Sequence, residues 1–266
     1  GGGWSEPQVV WTLTAGGISL ILFIWRQLLL KEPMMDLRAF KSPMFALSTV
    51  LVLIVMMAMF STLMLLPIFM QQGLLLTTFA AGLVLLPGGI LNGFLSPITG
   101  KLFDKFGPRV LAIPGIVLLI VVMYLFTQID LETSRGTIIF YHCLLMVAVS
   151  MIMMPVSTNG LNQLPRVYYP HGTAIMNTLQ QVAGAIGVAF FISIMSNGMK
   201  DYLAASSDPT SPAEMALGMN AGVHDAFGIG MIFAIVGLVL TLFIRKAKDP
   251  DAEQAPQPVP ERAVSQ

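Results

Sequence analysis

Two groups of residues in this 266-residue chain have types and spacing suited to more than packing. The first is the run 100–109, Gly-Lys-Leu-Phe-Asp-Lys-Phe-Gly-Pro-Arg, with four charges between two long uncharged apolar stretches. Asp104, Lys105 and Arg109 could pair across neighbouring helix ends, and a few kcal/mol is enough to bias one of two conformations. Gly100 and Gly107 permit backbone angles closed to other residues. Pro108 suits the first turn of a following helix, and Asp104 is placed to accept hydrogen bonds from that helix's free N–H groups. The plain alternative is that these cations only mark one side of a membrane. The second group is Asn177, Gln180, Gln181 and Gly184, spaced i, i+3, i+4 and i+7 on one helix face. Such amides can orient a bound polar group or hydrogen-bond across helices as packing, and the pattern leaves both open. Asn162 joins them as a candidate cavity residue. With Asn159 and Gln163 it also sits near a helix end, where capping or gate contacts are the favoured use.

Prolines 87, 97, 114 and 155 each remove a backbone donor and can bend a helix. Pro87-Gly88-Gly89 is the strongest such break, and with Pro155 it is the candidate hinge or cavity-lining bend. Gly89/Gly93, Ala183/Gly187 and Gly230/Ala234 are small-residue pairs that would let helix backbones approach. His142 reads as a buried histidine bonded to a neighbour. His171 and His224 read as surface or capping groups, and the three are too scattered for a metal site. A single cysteine, Cys143, excludes an internal disulfide. No nucleophile–base pair and no two carboxylates share one membrane depth, which argues against an enzyme.

These residues must be positioned by membrane helices. Hydrophobic residues make up 55% of the chain and charged ones 11%, against roughly 25% in an ordinary soluble domain. Such a chain cannot cover itself with polar surface, so lipid is its main partner. Zero net charge removes the case for nucleic acid. Seven apolar runs stand out, at 9–25, 43–70, 77–99, 110–129, 136–157, 173–197 and 226–244, with the fifth able to extend toward 164 and a longer polar loop expected over 200–224. Residues 247–266, rich in proline, acid and glutamine, are expected to be disordered. Alternate connections hold 12 of the 14 basic residues, while the opposite side has only Arg135 and Lys200. The positive-inside rule then puts the N-terminus of this chain outside and its C-terminus in the cytoplasm of a plasma-membrane protein. No acidic or basic side chain falls inside a span. The opening Gly-Gly-Gly without methionine reads as a start inside a longer protein.

The charged run, as Gly100, Leu102, Asp104, Lys105, Gly107 and Arg109, resembles the cytoplasmic loop motif of the major facilitator superfamily. Pro108 and Phe103 depart from its usual residues. Leu86-Pro87-Gly88-Gly89, Ser96-Pro97, Met154-Pro155 and the tract from Gly160 to Gly187 extend the likeness to the fourteen-span drug:proton antiporters, C-terminal half. The tract 28–40 resembles the linker after their second inserted helix. The resemblance implies an all-α, polytopic helix bundle with residues 1–41 as an extra inter-half helix and basic linker, and 42–246 as a six-helix bundle of two inverted triplets. It implies export of small amphiphilic compounds in exchange for protons by alternating access. In that scheme the charged run is a latch between access states. The proton gradient is the energy source, no cofactor is needed, and the coupling acids lie in an N-terminal half outside this chain. A seven-span receptor or sensor is the rival reading. No intramembrane lysine for retinal and no cysteine pair for an outer loop favour it.

Overall fold

The computed structural model describes residues 7–30 and 35–246. Trp4, the middle of the basic linker, and the tail expected to be disordered lie outside the described residues. Seven helices are long and apolar enough to cross a membrane. They are α1 (Pro7–Leu29), α2 (Pro43–Ile68), α3 (Thr78–Phe106), α4 (Pro108–Phe126), α5 (Arg135–Leu161), α6 (Tyr169–Ala205) and α7 (Pro212–Leu242). Among the described residues there is no strand. Lipid offers backbone groups no hydrogen-bond partner, so each crossing segment satisfies its own as a helix.

The starts follow local capping chemistry. Ser42, Thr77 and Ser134 each accept a bond from the backbone N–H three residues on, at the starts of α2, α3 and α5. Proline sits in the first turn of α2, α4, α6 and α7, where no amide donor is missed. α2 ends in one wide turn, Phe69–Gly73, just after Pro67.

Three helix ends depart furthest from the sequence expectation. α3 continues through the charged run to Phe106, α6 runs to Ala205, and α7 begins at Pro212. The long polar loop expected over 200–224 therefore shrinks to residues 206–211. Hydropathy reports where lipid stops; a helix stops where packing and caps end it. Here Gly218 and Gly222 hold α7 against Leu203, Met199 and Met195 of α6 beyond the apolar stretch.

α2 and α5 form the centre. α3 packs on α5 as α6 packs on α2, α4 and α7 pack on each other, and α2 touches α5. α4 also packs on α5, and α6 on α7, far more extensively than α3 on α4. The core runs through Leu51, Val55 and Leu66 of α2, Ile116 and Leu119 of α4, Leu145 and Ile152 of α5, and Phe227 of α7. Phe126 stacks on Phe227, with centroids 4.7 Å apart, and meets Tyr141 edge-on.

α1 stands apart. Gln27 is its only buried residue, and its side-chain oxygen accepts a bond from the Met35 amide. Trp11 and Trp25 are 74% and 60% exposed. The hydroxyls of Thr12 and Thr14 donate back to carbonyls one turn earlier, so the helix can face lipid without an unsatisfied side chain there.

Candidate functional site: the charged end and the open faces of α3 and α6

The charged run is helix, not loop. α3 passes through Gly100, Lys101, Asp104 and Lys105, and Gly107 alone separates it from α4. Gly107 has φ 81° and ψ 177°, and its amide donates to the Phe103 carbonyl at 2.8 Å. That backbone region is open essentially to glycine only. Gly107→Ala should cost about 1–3 kcal/mol. Thermal unfolding of the purified protein would show it; an unchanged melting temperature would mean the turn can be rebuilt.

Asp104 makes no capping bond to α4, which departs from the expectation. Gly107 occupies the N-cap, and no side chain caps that helix. Carrying α3 one turn further sets the Asp104 side chain on an exposed helix surface instead. Lys105 reaches over the Phe106 ring, 5.2 Å from its centroid. Arg109 donates from Nη2 to the Leu242 carbonyl at 2.8 Å, tying the start of α4 to the end of α7. Asn159 of α5 donates to the Arg245 carbonyl at 3.0 Å. The Arg109 bond satisfies a carbonyl at the negative end of α7, the position a cation favours, while the Asn159 bond holds the chain just beyond that end. Gly100 is half-buried, and a Cβ there would stand 3.3 Å from Met154 Cε.

The hinge candidates separate. α3 is helical through Pro87, Gly88 and Gly89. Gly88 is buried where α3 crosses α5, and a Cβ there would strike the ring of His142. Gly89, one residue on, meets nothing within 4 Å, and neither does Gly93. That pair therefore brings no other described helix close. Gly187 does: a Cβ there would lie 2.8 Å from Met57 Cα of α2. Pro155 is buried inside α5. His142 is buried as expected and bonds to the backbone of Leu85, while its Nδ1 has no partner among the described residues.

The amide set divides in the same way. Gly184 is buried beneath Phe60 of α2. Asn177 and Gln181 are exposed, with Thr173 and Ala185 in line, and Gln180 is half-buried. The seam between Gln180 and Gly184 faces α2, while the one through Asn177 and Gln181 is left open. Asn162 is not brought to them. It caps α5 and accepts a bond from the Tyr169 hydroxyl at 3.1 Å. Among the described residues no group of three His, Cys, Asp or Glu side chains could hold a metal ion.

A bundle of seven apolar helices with unpartnered faces on α3 and α6 is a multi-pass membrane protein. Residues 4–188 match the model of the Major Facilitator Superfamily, and the chain belongs to that superfamily, one of transporters rather than enzymes. The receptor reading is thereby not favoured. The chain is 54% identical over 247 residues to the lincomycin resistance protein LmrB of Bacillus subtilis, covering 93% of this chain and 52% of that protein. It is 52% identical over 246 residues to the protein of that name from Listeria monocytogenes, covering 92% and 52%. The multidrug resistance protein Stp of Mycobacterium tuberculosis is 25% identical over 209 residues, covering 78% of this chain and 38% of Stp. The chain thus spans about half the length of these two LmrB proteins.

Proposed function

We propose that this chain is the C-terminal half of a fourteen-span exporter that moves amphiphilic drugs, a lincosamide among them, out of the cell in exchange for protons. The observation that carries the reading is the open polar face of α6. Thr173, Asn177 and Gln181 are exposed on α6, and the open surface of that helix continues through Ala185, Ile186 and Phe190. Amides turned to hydrocarbon without partners would each cost several kcal/mol, so this face must meet water or protein. A water-filled path between this half and an N-terminal half supplies that setting, and the names of the relatives supply the cargo class. Asn177 and Gln181 orient the polar part of the cargo, with Gln180 at the edge. The apolar face of α3 around Leu86, Ile90 and Phe94 receives its hydrocarbon part. Pro87, Gly89 and Pro155 are the bends that change angle between access states. The acids that couple protons lie outside this chain.

Orientation follows from the basic connections: the N-terminus of this chain lies outside and the C-terminus in the cytoplasm. Single cysteines replacing Lys101 and Lys200 should react with an impermeant maleimide from opposite sides of the bilayer. Labelling from one side would overturn the arrangement. For transport, cells producing the full-length protein should extrude fluorescent amphiphiles and survive raised lincomycin. Both effects should vanish with a protonophore. Asn177→Ala/Gln181→Ala should lower export of polar-headed cargo at least tenfold at equal membrane abundance. No export by the wild-type protein, or export indifferent to the proton gradient, would refute the corresponding part of the reading.

A further inference from the structure

At the basic end of the bundle lies a groove that the transport reading does not use. It has two lobes of about 480 Å³ each, which share Ser42 and Gln163 as a polar waist. Arg38 and Lys41 border the first lobe, with Leu164 and Tyr168 beside them. Arg109 and Arg245 border the second, with Met44 and Leu242. Neither lobe is lined by an acidic side chain among the described residues.

The four cations are poorly neutralised within the described residues. Arg38 approaches Asp36 only at 3.9 Å, with its own side chain 73% exposed, a weak surface pair. Lys41 and Arg245 are exposed and in no ion pair of the described residues. Arg109 gives one donor to Leu242, and a guanidinium has five. Beside the second lobe Leu242 and Phe243 turn 50% and 64% of their surface outward. The groove therefore offers two cation pairs, a hydrogen-bonding bridge between them, and apolar surface continuing toward the membrane.

We infer that this groove binds an anionic glycerophospholipid with two phosphates joined by a short polar bridge, a diphosphatidylglycerol. One phosphate sits between Arg38 and Lys41 and the other between Arg109 and Arg245. The bridging hydroxyl lies at Ser42 and Gln163, and acyl chains lie along Leu242 and Phe243. Basic pockets between membrane helices recognise such headgroups through charge and hydrogen bonding together. A lipid with one phosphate can fill only one lobe. The bound lipid would join the start of α2, the α5–α6 connection and the start of α4 to the end of α7. This inference needs the chain to be in a bilayer but does not depend on drug export.

The test uses the full-length protein in nanodiscs, read by native mass spectrometry of retained lipid. Probes are diphosphatidylglycerol, phosphatidylglycerol at equal total charge, and phosphatidylcholine. The wild-type protein should retain the two-phosphate lipid at least tenfold better than either other lipid. Lys41→Gln and Arg245→Gln, both at exposed positions, should each lose about threefold, and the double variant at least tenfold. Lys200→Gln, at the opposite end, should match wild type. Equal retention of phosphatidylglycerol, or wild-type retention by the double variant, would overturn the site. So would binding that appears only after residues 247–266 are removed, because the acidic tail would then be the native occupant.

Discussion

Gly222→Ala is expected to remove most of the folded, transport-competent full-length protein, whereas Gly89→Ala leaves the fold intact. The two residues look alike in the sequence, each a glycine in a segment rich in small residues. Their surroundings are opposite. A Cβ on Gly222 would overlap the backbone carbonyl of Met195 in α6 and come within 3.0 Å of the Met199 amide nitrogen. From the other side, a Cβ on Gly198 would lie 3.0 Å from Gly222 Cα and overlap the Asp225 carboxylate. The obstacle is therefore main chain, which no rotamer change relieves, and α6 and α7 would have to separate along one of the larger contacts of the bundle. Overpacking costs typically 1–3 kcal/mol, and a contact between two backbones belongs at about 3 kcal/mol or above. That is a large part of the 5–15 kcal/mol that ordinarily separates folded from unfolded protein. At Gly89 nothing lies within 4 Å, and alanine favours helix over glycine by about 1 kcal/mol. Fluorescence-detected size exclusion and thermal unfolding in mild detergent measure both. A Gly222→Ala protein that elutes and melts like wild type would show that the α6–α7 crossing is looser than its geometry states.

The contrast explains what could be read in the sequence. The seven spans were legible because lipid imposes one rule on every crossing segment, and a charge-free run such as 226–244 has no other use. The helix ends were not. Gly222 sits in a segment that hydropathy assigns to a loop, yet a glycine contact with Met195 keeps it helical and packed. The amide set was half legible. Spacing put Asn177, Gln181 and Gly184 near one another, but a helix face spans a wide arc, and only Phe60 decided that Gly184 turns inward. Gly89 and Gly93 have the spacing of a packing pair but no partner among the described residues, because spacing names a close approach and not its other half. The Arg109–Leu242 and Asn159–Arg245 bonds join residues 133 and 86 positions apart. No local pattern points to such pairs. A cation near a helix end was the only available hint.

Asp104→Asn is expected to lower drug export by the full-length protein at least tenfold while membrane abundance and melting temperature stay at wild-type levels. Asp104 stands exposed in the last turn of α3, where the helix dipole disfavours an anion by a few tenths to about 1 kcal/mol. Asp104 is in no ion pair with another described residue, so it draws no salt-bridge support from them. Removing its charge should thus leave this chain's fold as stable as before or slightly more so, as exposed substitutions usually change stability by less than 0.5 kcal/mol. A loss of transport would then come from a partner outside this chain that Asp104 meets in one access state only. Arg109→Ala makes the opposite case. Its guanidinium holds the end of α7 within this chain, so melting temperature and export should fall together. If Asp104→Asn exports at the wild-type rate, the acid is no latch, and the charged run is left with the Arg109 tie to α7 and with marking one side of the membrane. If Asp104→Asn fails and Arg109→Ala melts early, the run does two separable things: Arg109 fastens α4 to α7 permanently, and Asp104 engages the other half in turn.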